Sequence, residues 1–284
     1  MQINEKETIR QVVRERYGNI AKTVTDFSST NSAQSCCGQS EKAGPKSSTA
    51  SCCGGSAVAP EQISALMGYS KADIQGVIDG ANLGLGCGNP VALASLKPGE
   101  TVIDLGSGGG FDCFLAAKQV GETGRVIGVD MTPDMLSRAR MNAEKMKTTN
   151  VEFRLGEIEH LPVADNTADI IMSNCVINLS PEKLEVYREA FRILKPGGRL
   201  AISDIVATAA LPPDIQQNLA LVSACVGGAA TIDDTKSMLQ EAGFKDIKIT
   251  PKDESRKLIS QWVPAENKNA GDYVVSAYIA AIKP

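Results

Sequence analysis

The stretch "VIDLGSGGGFD", residues 102–112, decides the fold of this chain. A short β-rich run leads into a glycine-rich turn, and the turn leads into a segment of helical character. In α/β proteins, ligands bind at such turns beyond the carboxyl ends of the strands. The dinucleotide pattern G-x-G-x-x-G requires its third glycine at position 111, where Phe111 stands instead. The stretch therefore argues against an NAD-dependent oxidoreductase.

Strand and helix signals alternate on both sides of this stretch. The predicted strands are 101–105, 125–130, 151–155, 168–174, 199–205, 245–249 and 273–283. The predicted helices are 5–18, 111–120, 133–147, 181–194, 214–224 and 232–242, with "KPGG" closing the helix that ends at 194. Strands that alternate with helices predict an α/β fold with a doubly wound, mostly parallel sheet.

Composition divides the chain into three predicted parts. We expect an N-terminal helix within 1–25, a flexible arm over 26–60, and one α/β domain over 61–284. The arm is rich in serine, alanine and glycine, and it has too few large apolar residues to form a core. It contains the sequence "SCCG" twice, and each copy carries a cysteine pair. These cysteines are Cys36, Cys37, Cys52 and Cys53.

Bulk properties narrow the class of protein. The chain has 284 residues, 43% of them hydrophobic, and a net charge of -4, so a nucleic-acid or membrane-surface partner is not expected. No apolar stretch approaches the ~18 residues of a membrane span, and the charged first twenty residues do not resemble a signal peptide. A cytoplasmic location is predicted. In that compartment eight cysteines are better explained as ligands, nucleophiles or redox partners than as disulfides.

The glycine turn resembles the first motif of S-adenosylmethionine-dependent methyltransferases. Asp104 stands two residues before Gly106, and glycines recur at Gly108 and Gly110. The resemblance implies the Rossmann-like class I fold, with a seven-stranded sheet. It also implies that the glycines let the backbone approach the methionine part of the cofactor, and that Asp104 helps to hold the turn and the cofactor's amino group.

Further markers of cofactor binding follow the next strands. Asp130 ends the strand in "VIGVDMT", where a carboxylate can accept hydrogen bonds from both ribose hydroxyls, and Met131 can lie against the adenine. The resemblance places Glu157, in "LGEIEHLP", near the adenine edge. Asn174, at the end of the fourth strand, has two interpretations: it contacts the cofactor or it caps the strand.

Three cysteines come from segments expected to meet above the cofactor. Cys175 follows the fourth strand in "SNCVINLS", Cys225 lies in "LVSACVGGA", and Cys87 lies in "ANLGLGCGNP". Three thiolates at one point suit a soft, thiophilic centre. Trivalent arsenic takes a pyramidal three-sulfur shell and keeps a lone pair, so its methylation needs no general base. This agrees with a chain whose single histidine is His160.

The motifs together closely resemble the arsenite methyltransferase family over nearly the whole chain. In order they are "LGLGCGNP", "DLGSGGGFDC", "GVDMT", "SNCVINLS" and C-x-G-G-A at Cys225. The resemblance implies an enzyme of arsenite detoxification that methylates arsenite or its thiol conjugates. Cys175 and Cys225 would hold the arsenic, with Cys87 as a third candidate ligand. Cys87 would also act with Cys175 in a disulfide relay that an N-terminal cysteine completes.

The change in the oxidation state of arsenic means that the reaction also needs a reductant. An arsenic atom that donates its lone pair to a methyl cation becomes formally pentavalent, and two thiols can return two electrons by forming a disulfide. Thioredoxin or glutathione would then restore the thiols, and the arm cysteines would deliver electrons or metalloid.

Two other functions remain open from the sequence. One is a methyltransferase that acts on a small organic metabolite, and the other is a non-catalytic thiol protein that binds metalloids. Cys113, just inside the helix after the glycine turn, is predicted to be a small buried core residue and not a ligand.

Overall fold

The computed structural model describes residues 3–23, 59–260, 263 and 265–284. The arm predicted over 26–60, with Cys36, Cys37, Cys52 and Cys53, lies outside the described residues except for its last two positions.

Seven strands form one sheet in the order β3-β2-β1-β4-β5-β7-β6. The strands are β1 (Thr101–Leu105), β2 (Arg125–Asp130), β3 (Val151–Leu155), β4 (Ala168–Asn174), β5 (Leu194–Ala207), β6 (Lys245–Lys252) and β7 (Val274–Ile282). The pairs among β1 to β5 are parallel, and β7 runs antiparallel to both of its neighbours. The predicted doubly wound, mostly parallel, seven-stranded sheet is confirmed.

The sheet order creates a crevice beside β1. The chain adds β2 and β3 on one side of β1 and places β4 and β5 on the other side. Loops that leave β1 and β4 therefore diverge at neighbouring carboxyl ends, which is where open α/β sheets bind ligands. The glycine turn follows β1, and Cys175 follows β4.

Helices cover both faces of the sheet and its carboxyl end. They are α1 (Ile3–Thr23), α2 (Pro60–Leu66), α3 (Lys71–Gln75), α4 (Pro90–Ala94), α5 (Phe111–Val120), α6 (Pro133–Met146), α7 (Lys183–Ile193), α8 (Pro213–Gln216), α9 (Leu219–Ser223), α10 (Ile232–Glu241) and α11 (Arg256–Ile259). Three-ten segments are Ile177–Leu179, Asp253–Ser255 and Ala265–Tyr273. Every helix in the described ranges is too short or too polar to span a bilayer.

Two predicted boundaries were wrong for local reasons. The single helix expected over 214–224 is two helices, because the Asn218 side chain accepts hydrogen bonds from the N–H groups of Ala220 and Leu221 and begins α9. The "KPGG" segment does not follow the end of a helix as a separate turn. It lies inside β5, which already begins at Leu194.

The hydrophobic core alternates across the sheet as strand geometry requires. Ile103 and Leu105 point to the layer that contains α7 and α10. Val102, which precedes Ile103 in β1, points to the opposite layer, which contains α5 and α6. A third cluster lies beyond the carboxyl ends of the strands and contains three of the cysteines. This third cluster carries the candidate site.

Candidate active site

The glycine turn between β1 and α5 has backbone conformations that favour glycine. Gly106, Gly108 and Gly110 have φ angles of 69°, 50° and 91°. A side chain at position 108 would meet only the Met135 sulfur, 4.0 Å away, so the peptide there is loosely surrounded. The Asp130 carboxylate ties the turn down, because the Gly108 N–H donates to Oδ2 at 2.9 Å. The turn is thus ordered while its backbone stays approachable.

Three buried carboxyl groups surround this turn: Asp104 in β1, Asp112 in α5 and Asp130 in β2. None of them forms an ion pair with a residue that the structure describes. Burial raises the pKa of Asp112 to about 6. Burial, together with the charge of Asp112, holds the pKa of Asp104 well above its usual range. Buried acids that lack a cation fit a positively charged ligand.

The Ser107 side chain is a second indication, besides the three acids, that a ligand binds at this turn. Its hydroxyl is buried and has no hydrogen-bond partner among the described residues, although such groups are normally satisfied. S-adenosylmethionine carries a sulfonium, an ammonium and ribose hydroxyls. The turn, the three acids and the Ser107 hydroxyl therefore fit the chemistry of this group.

Two residues predicted to contact adenine have other neighbours here. Met131 is half-buried and packs against the cysteine-containing cluster. The Glu157 carboxylate pairs with Arg14 at 3.3 Å and with Arg10 at 3.5 Å, and both arginines belong to α1. The adenine contact of each residue stays a prediction.

Cys87, Cys175 and Cys225 share the third hydrophobic cluster, which we call the thiol cluster. All three are at most 7% exposed. The Cys87 and Cys175 sulfur atoms and a carboxylate oxygen of Asp204 lie within 4.8 Å of one another. The Cys225 thiol donates to the carbonyl oxygen of Cys175 at 3.0 Å. Cys175 therefore lies between the other two. Hydrogen bonding with the Cys225 and Cys87 thiols, and then burial, raises the pKa of Cys175 well above its usual range.

Both Cys175 and Cys225 have left-handed backbone conformations, with φ of 60° and 63°. This region is uncommon for residues other than glycine, asparagine and aspartate, and it clusters at functional sites. In each case the positive φ turns the chain sharply at the thiol. The two sharp turns bring sulfur atoms from separate segments together.

Asp204, in β5, holds the segment that follows Cys175, and sequence reasoning missed it. Its carboxylate accepts hydrogen bonds from the Ile177 N–H at 2.9 Å and from the Ile205 N–H at 2.7 Å. Burial raises its pKa to about 6 despite these bonds. The available signal was an acid in the interior of a predicted strand, next to Ser203. The order of residues along a strand does not show that this carboxyl group lies near the cysteines.

Helix α1 covers the thiol cluster from outside. Val13 is a buried member of the cluster. The Tyr17 hydroxyl lies 4.0 Å from the Cys225 sulfur, and Arg16 donates to the Ser223 hydroxyl at 3.0 Å. The helix predicted within 1–25 is thus longer than 5–18 and contributes to the site. The composition of this charged helix gave no sign of this contact.

Cys113 has the structural role that the sequence predicted. Its side chain is fully buried in the layer with α5, and its thiol donates to Asp104 at 3.2 Å. It lies in a different cluster from the three thiols above.

Comparisons with known proteins agree with this arrangement. A methyltransferase-domain family model matches residues 96–243, just over half of the chain. The arsenite methyltransferase of Halobacterium salinarum is 51% identical over 99% of this chain and 68% of its own length. The human arsenite methyltransferase is 40% identical over half of this chain and 40% of its own length.

A solved structure shows the same family likeness. The arsenic(III) S-adenosylmethionine methyltransferase of Chlamydomonas reinhardtii is 31% identical, with a TM-score of 0.59 over 80% of this chain and 74% of that one. The glycine turn, the acid that ends β2, Cys175 and Cys225 lie within the residues that the family model matches, and Cys87 precedes them. The chain belongs to the arsenite methyltransferase family, within the class I S-adenosylmethionine-dependent methyltransferases.

Proposed function

We propose that this protein transfers methyl groups from S-adenosylmethionine to trivalent arsenic held by Cys87, Cys175 and Cys225, and so detoxifies arsenite as methylated arsenicals. The observation that carries the proposal is the meeting of three buried thiols beside a glycine turn surrounded by acids. The family assignment supports the same activity. Nothing in this arrangement favours an organic acceptor.

The thiols suit the substrate chemically. Arsenite exchanges hydroxide for thiolate: an arsenic–sulfur bond forms, an arsenic–oxygen bond breaks, and the thiol proton leaves with the hydroxide as water. Thiolate is a soft ligand that selects soft centres over the hard cations that carboxylates prefer. The apolar side chains around the thiol cluster, including Leu179 and Ile205, exclude water from the bound arsenical.

The residues around the glycine turn would hold S-adenosylmethionine. When bound, this group supplies an electrophilic methyl group on a sulfonium sulfur. The Asp104 and Asp112 carboxyl groups, whose pKa values burial raises, would ionise next to its positive charge, and Asp130 orders the turn through Gly108. The arsenic nucleophile is a lone pair that carries no proton. The protein therefore needs no base, and the exposed His160 has no role in the step.

A thiol reductant completes the proposed cycle. The Cys87 and Cys175 sulfur atoms lie within 4.8 Å of each other, close enough for local movement to join them. Two thiolates that leave arsenic as this disulfide would break two arsenic–sulfur bonds, form one sulfur–sulfur bond, and leave on arsenic the two electrons that return it to its trivalent state. Thioredoxin or glutathione would reduce it, with an arm cysteine (Cys36, Cys37, Cys52 or Cys53) as intermediary. The cytoplasmic location remains a prediction.

The test is methylation of arsenite by the purified reduced protein with S-adenosylmethionine, read as methylated arsenic by mass spectrometry. The wild type is expected to produce methylarsenicals. Cys175→Ser and Cys225→Ser are expected to reduce the rate by at least about 100-fold, because a hydroxyl is a poor ligand for a soft centre.

Cys113→Ser is the matched control, since this buried cysteine lies in another cluster. Its rate, corrected for folded protein, is expected to stay near that of the wild type. A wild type that binds S-adenosylmethionine but produces no methylated arsenic would overturn the proposal and favour an organic acceptor.

A further inference from the structure

We propose that Asn174 is a positioning residue for the Cys87 thiol, and that it completes the three-sulfur arsenic site instead of binding the cofactor. The inference rests on the proposed function. The sequence left two interpretations of Asn174 open, a cofactor contact and a strand cap. The structure gives its side chain a different partner, the loop that carries Cys87.

The Asn174 amide is occupied by the loop that carries Cys87. Its Oδ1 accepts a hydrogen bond from the Cys87 N–H at 2.9 Å. Its Nδ2 donates to the Gly88 carbonyl oxygen at 2.9 Å. One side chain thus binds the backbone on both sides of the Cys87 α-carbon, through the Cys87 N–H and the Gly88 carbonyl. Two hydrogen bonds of this kind set the position and direction of the residue between them.

Two further groups fix which way the amide faces. Nδ2 also lies 3.0 Å from the Tyr69 hydroxyl and 3.3 Å from Asp112 Oδ2, and the Tyr69 hydroxyl donates to Asp112 Oδ1 at 2.6 Å. These acceptors hold the NH₂ end, so the oxygen must face Cys87. Both amide hydrogens have acceptors within the protein, which leaves no donor for a cofactor.

The loop is packed directly on this amide. Gly86 has a φ of 127°, and a Cβ there would lie 2.7 Å from both polar atoms of the Asn174 amide. From the other side, the Ser276 hydroxyl donates to the Cys87 carbonyl oxygen at 2.8 Å. The Cys87 backbone is therefore held between β4 and β7, and its side chain is directed toward Cys175.

The position of Asn174 in the chain explains why a single residue can align two thiols. Its backbone immediately precedes Cys175, and its side chain holds Cys87. Any displacement of Asn174 moves both sulfur atoms together and preserves their spacing. Loss of the side chain leaves Cys175 in place and releases Cys87.

The experiment compares two arsenicals that need different numbers of thiols. Arsenite is bound by three thiolates, whereas phenylarsine oxide has one arsenic valence blocked and takes two. Titration calorimetry is done on the full-length reduced protein with the four arm cysteines changed to serine, so that only the thiol cluster binds. Each variant is made in this background.

Asn174→Ala is expected to weaken arsenite binding by about tenfold to 100-fold, because the Cys87 loop loses two hydrogen bonds and keeps buried unpaired groups. Cys87→Ser is expected to do the same. Affinity for phenylarsine oxide and for S-adenosylmethionine should be unchanged in Asn174→Ala. Asn150→Ala is the control, since that amide also bonds two backbone carbonyls, those of Ala117 and Gly121, away from the thiols.

A swapped pair of substitutions separates positioning from general damage. Asn174→Asp places a carboxylate beside Asp112 and removes the donor to Gly88, so arsenite binding should fall. Adding Asp112→Asn restores one donor and one acceptor across this contact, and arsenite affinity should partly recover. Recovery would show that the loss arises at the contact between positions 174 and 112 and not from damage elsewhere in the protein.

Two results would overturn the inference. Equal losses for arsenite and phenylarsine oxide in Asn174→Ala would mean that the whole thiol cluster depends on this residue. A loss of S-adenosylmethionine affinity with arsenite affinity retained would make Asn174 a cofactor contact. The wild type, which keeps its arm cysteines, tests the proposed function separately. If the background protein binds arsenite but the wild type does not methylate it, the proposed function is contradicted and this inference stands.

Discussion

The glycine turn and the thiol cluster lie side by side at the same edge of the sheet, but they are built in opposite ways. The turn is one continuous segment, 102–112, and its backbone is hydrogen-bonded to Val129, Asp130 and Asn142. The thiol cluster takes its sulfur atoms from three loops and is covered by a fourth segment, α1. The first is a local motif, and the second is a product of tertiary packing.

The two regions also differ in how they adopt unusual backbone conformations. The turn places glycine at its positive φ angles, which glycine adopts without steric cost. The thiol cluster places cysteine in the same region at Cys175 and Cys225, at a cost of ~1 kcal/mol or more each. Long-range contacts, such as those from Asp204, must offset this cost. The turn therefore meets its unusual backbone conformations with its own glycines, whereas the thiol cluster depends on contacts from distant residues to hold cysteines in theirs.

We expect the largest effect from a substitution that weakens cofactor binding at the glycine turn and leaves arsenite binding at the thiol cluster unchanged. Asp130→Ala removes a buried carboxylate that orders the turn and is predicted to bind ribose. Affinity for S-adenosylmethionine should fall by about 100-fold, since hydrogen bonds to a charged group are among the stronger ones. Arsenite affinity should stay unchanged in calorimetry. Asp214→Ala, an exposed acid, is the control, and a parallel loss of arsenite binding would refute the independence of the two regions.

The next prediction tests how Asp204 supports the strained loop. Its pKa is about 6 in the folded protein and about 4 in the unfolded chain, so the folded state binds the proton more tightly. The contribution of this group to stability is therefore greatest below about pH 4 and is lost as the pH rises through about 6. Asp204→Asn has no such group.

The free energy of unfolding of the wild type should thus fall relative to that of Asp204→Asn by about 2 to 3 kcal/mol between pH 4 and pH 7. Urea unfolding followed by circular dichroism at each pH measures the difference, and other titrating groups cancel in it. Parallel pH profiles for the two proteins would show that the Asp204 carboxyl is not protonated in this range.

The smallest effect is expected at the contact between α1 and the thiol cluster. Tyr17→Phe removes only the hydroxyl near the Cys225 sulfur and retains the ring. Arsenite affinity should fall by about fivefold, the value of one modest hydrogen bond. Tyr187→Phe, a buried tyrosine in α7, should have no effect on binding. If both variants bind arsenite like the wild type, α1 serves only to exclude water.

The contrast between a local motif and tertiary packing also explains which features could be predicted from the sequence. The bounds predicted for β1, β2, β3, β4 and α5 match the structure to the residue. The four strands are short β-rich runs, and α5 begins after Gly110 and ends before Gly121, so local signals suffice. The joined helix at 214–224 was wrong because a single side-chain cap at Asn218 outweighed the helical pattern.

The fold class, the glycine turn and the set of cysteines that can form a soft-metalloid site could all be predicted from the order of the amino acids. These follow from hydrophobic periodicity and residue type, which act over a few residues. Three features became visible only in the folded chain: Asn174 binds the Cys87 loop, Asp204 supports the loop after Cys175, and α1 covers Cys225. Side-chain directions and contacts between distant segments depend on the packing of the whole chain, and local propensity carries no record of them.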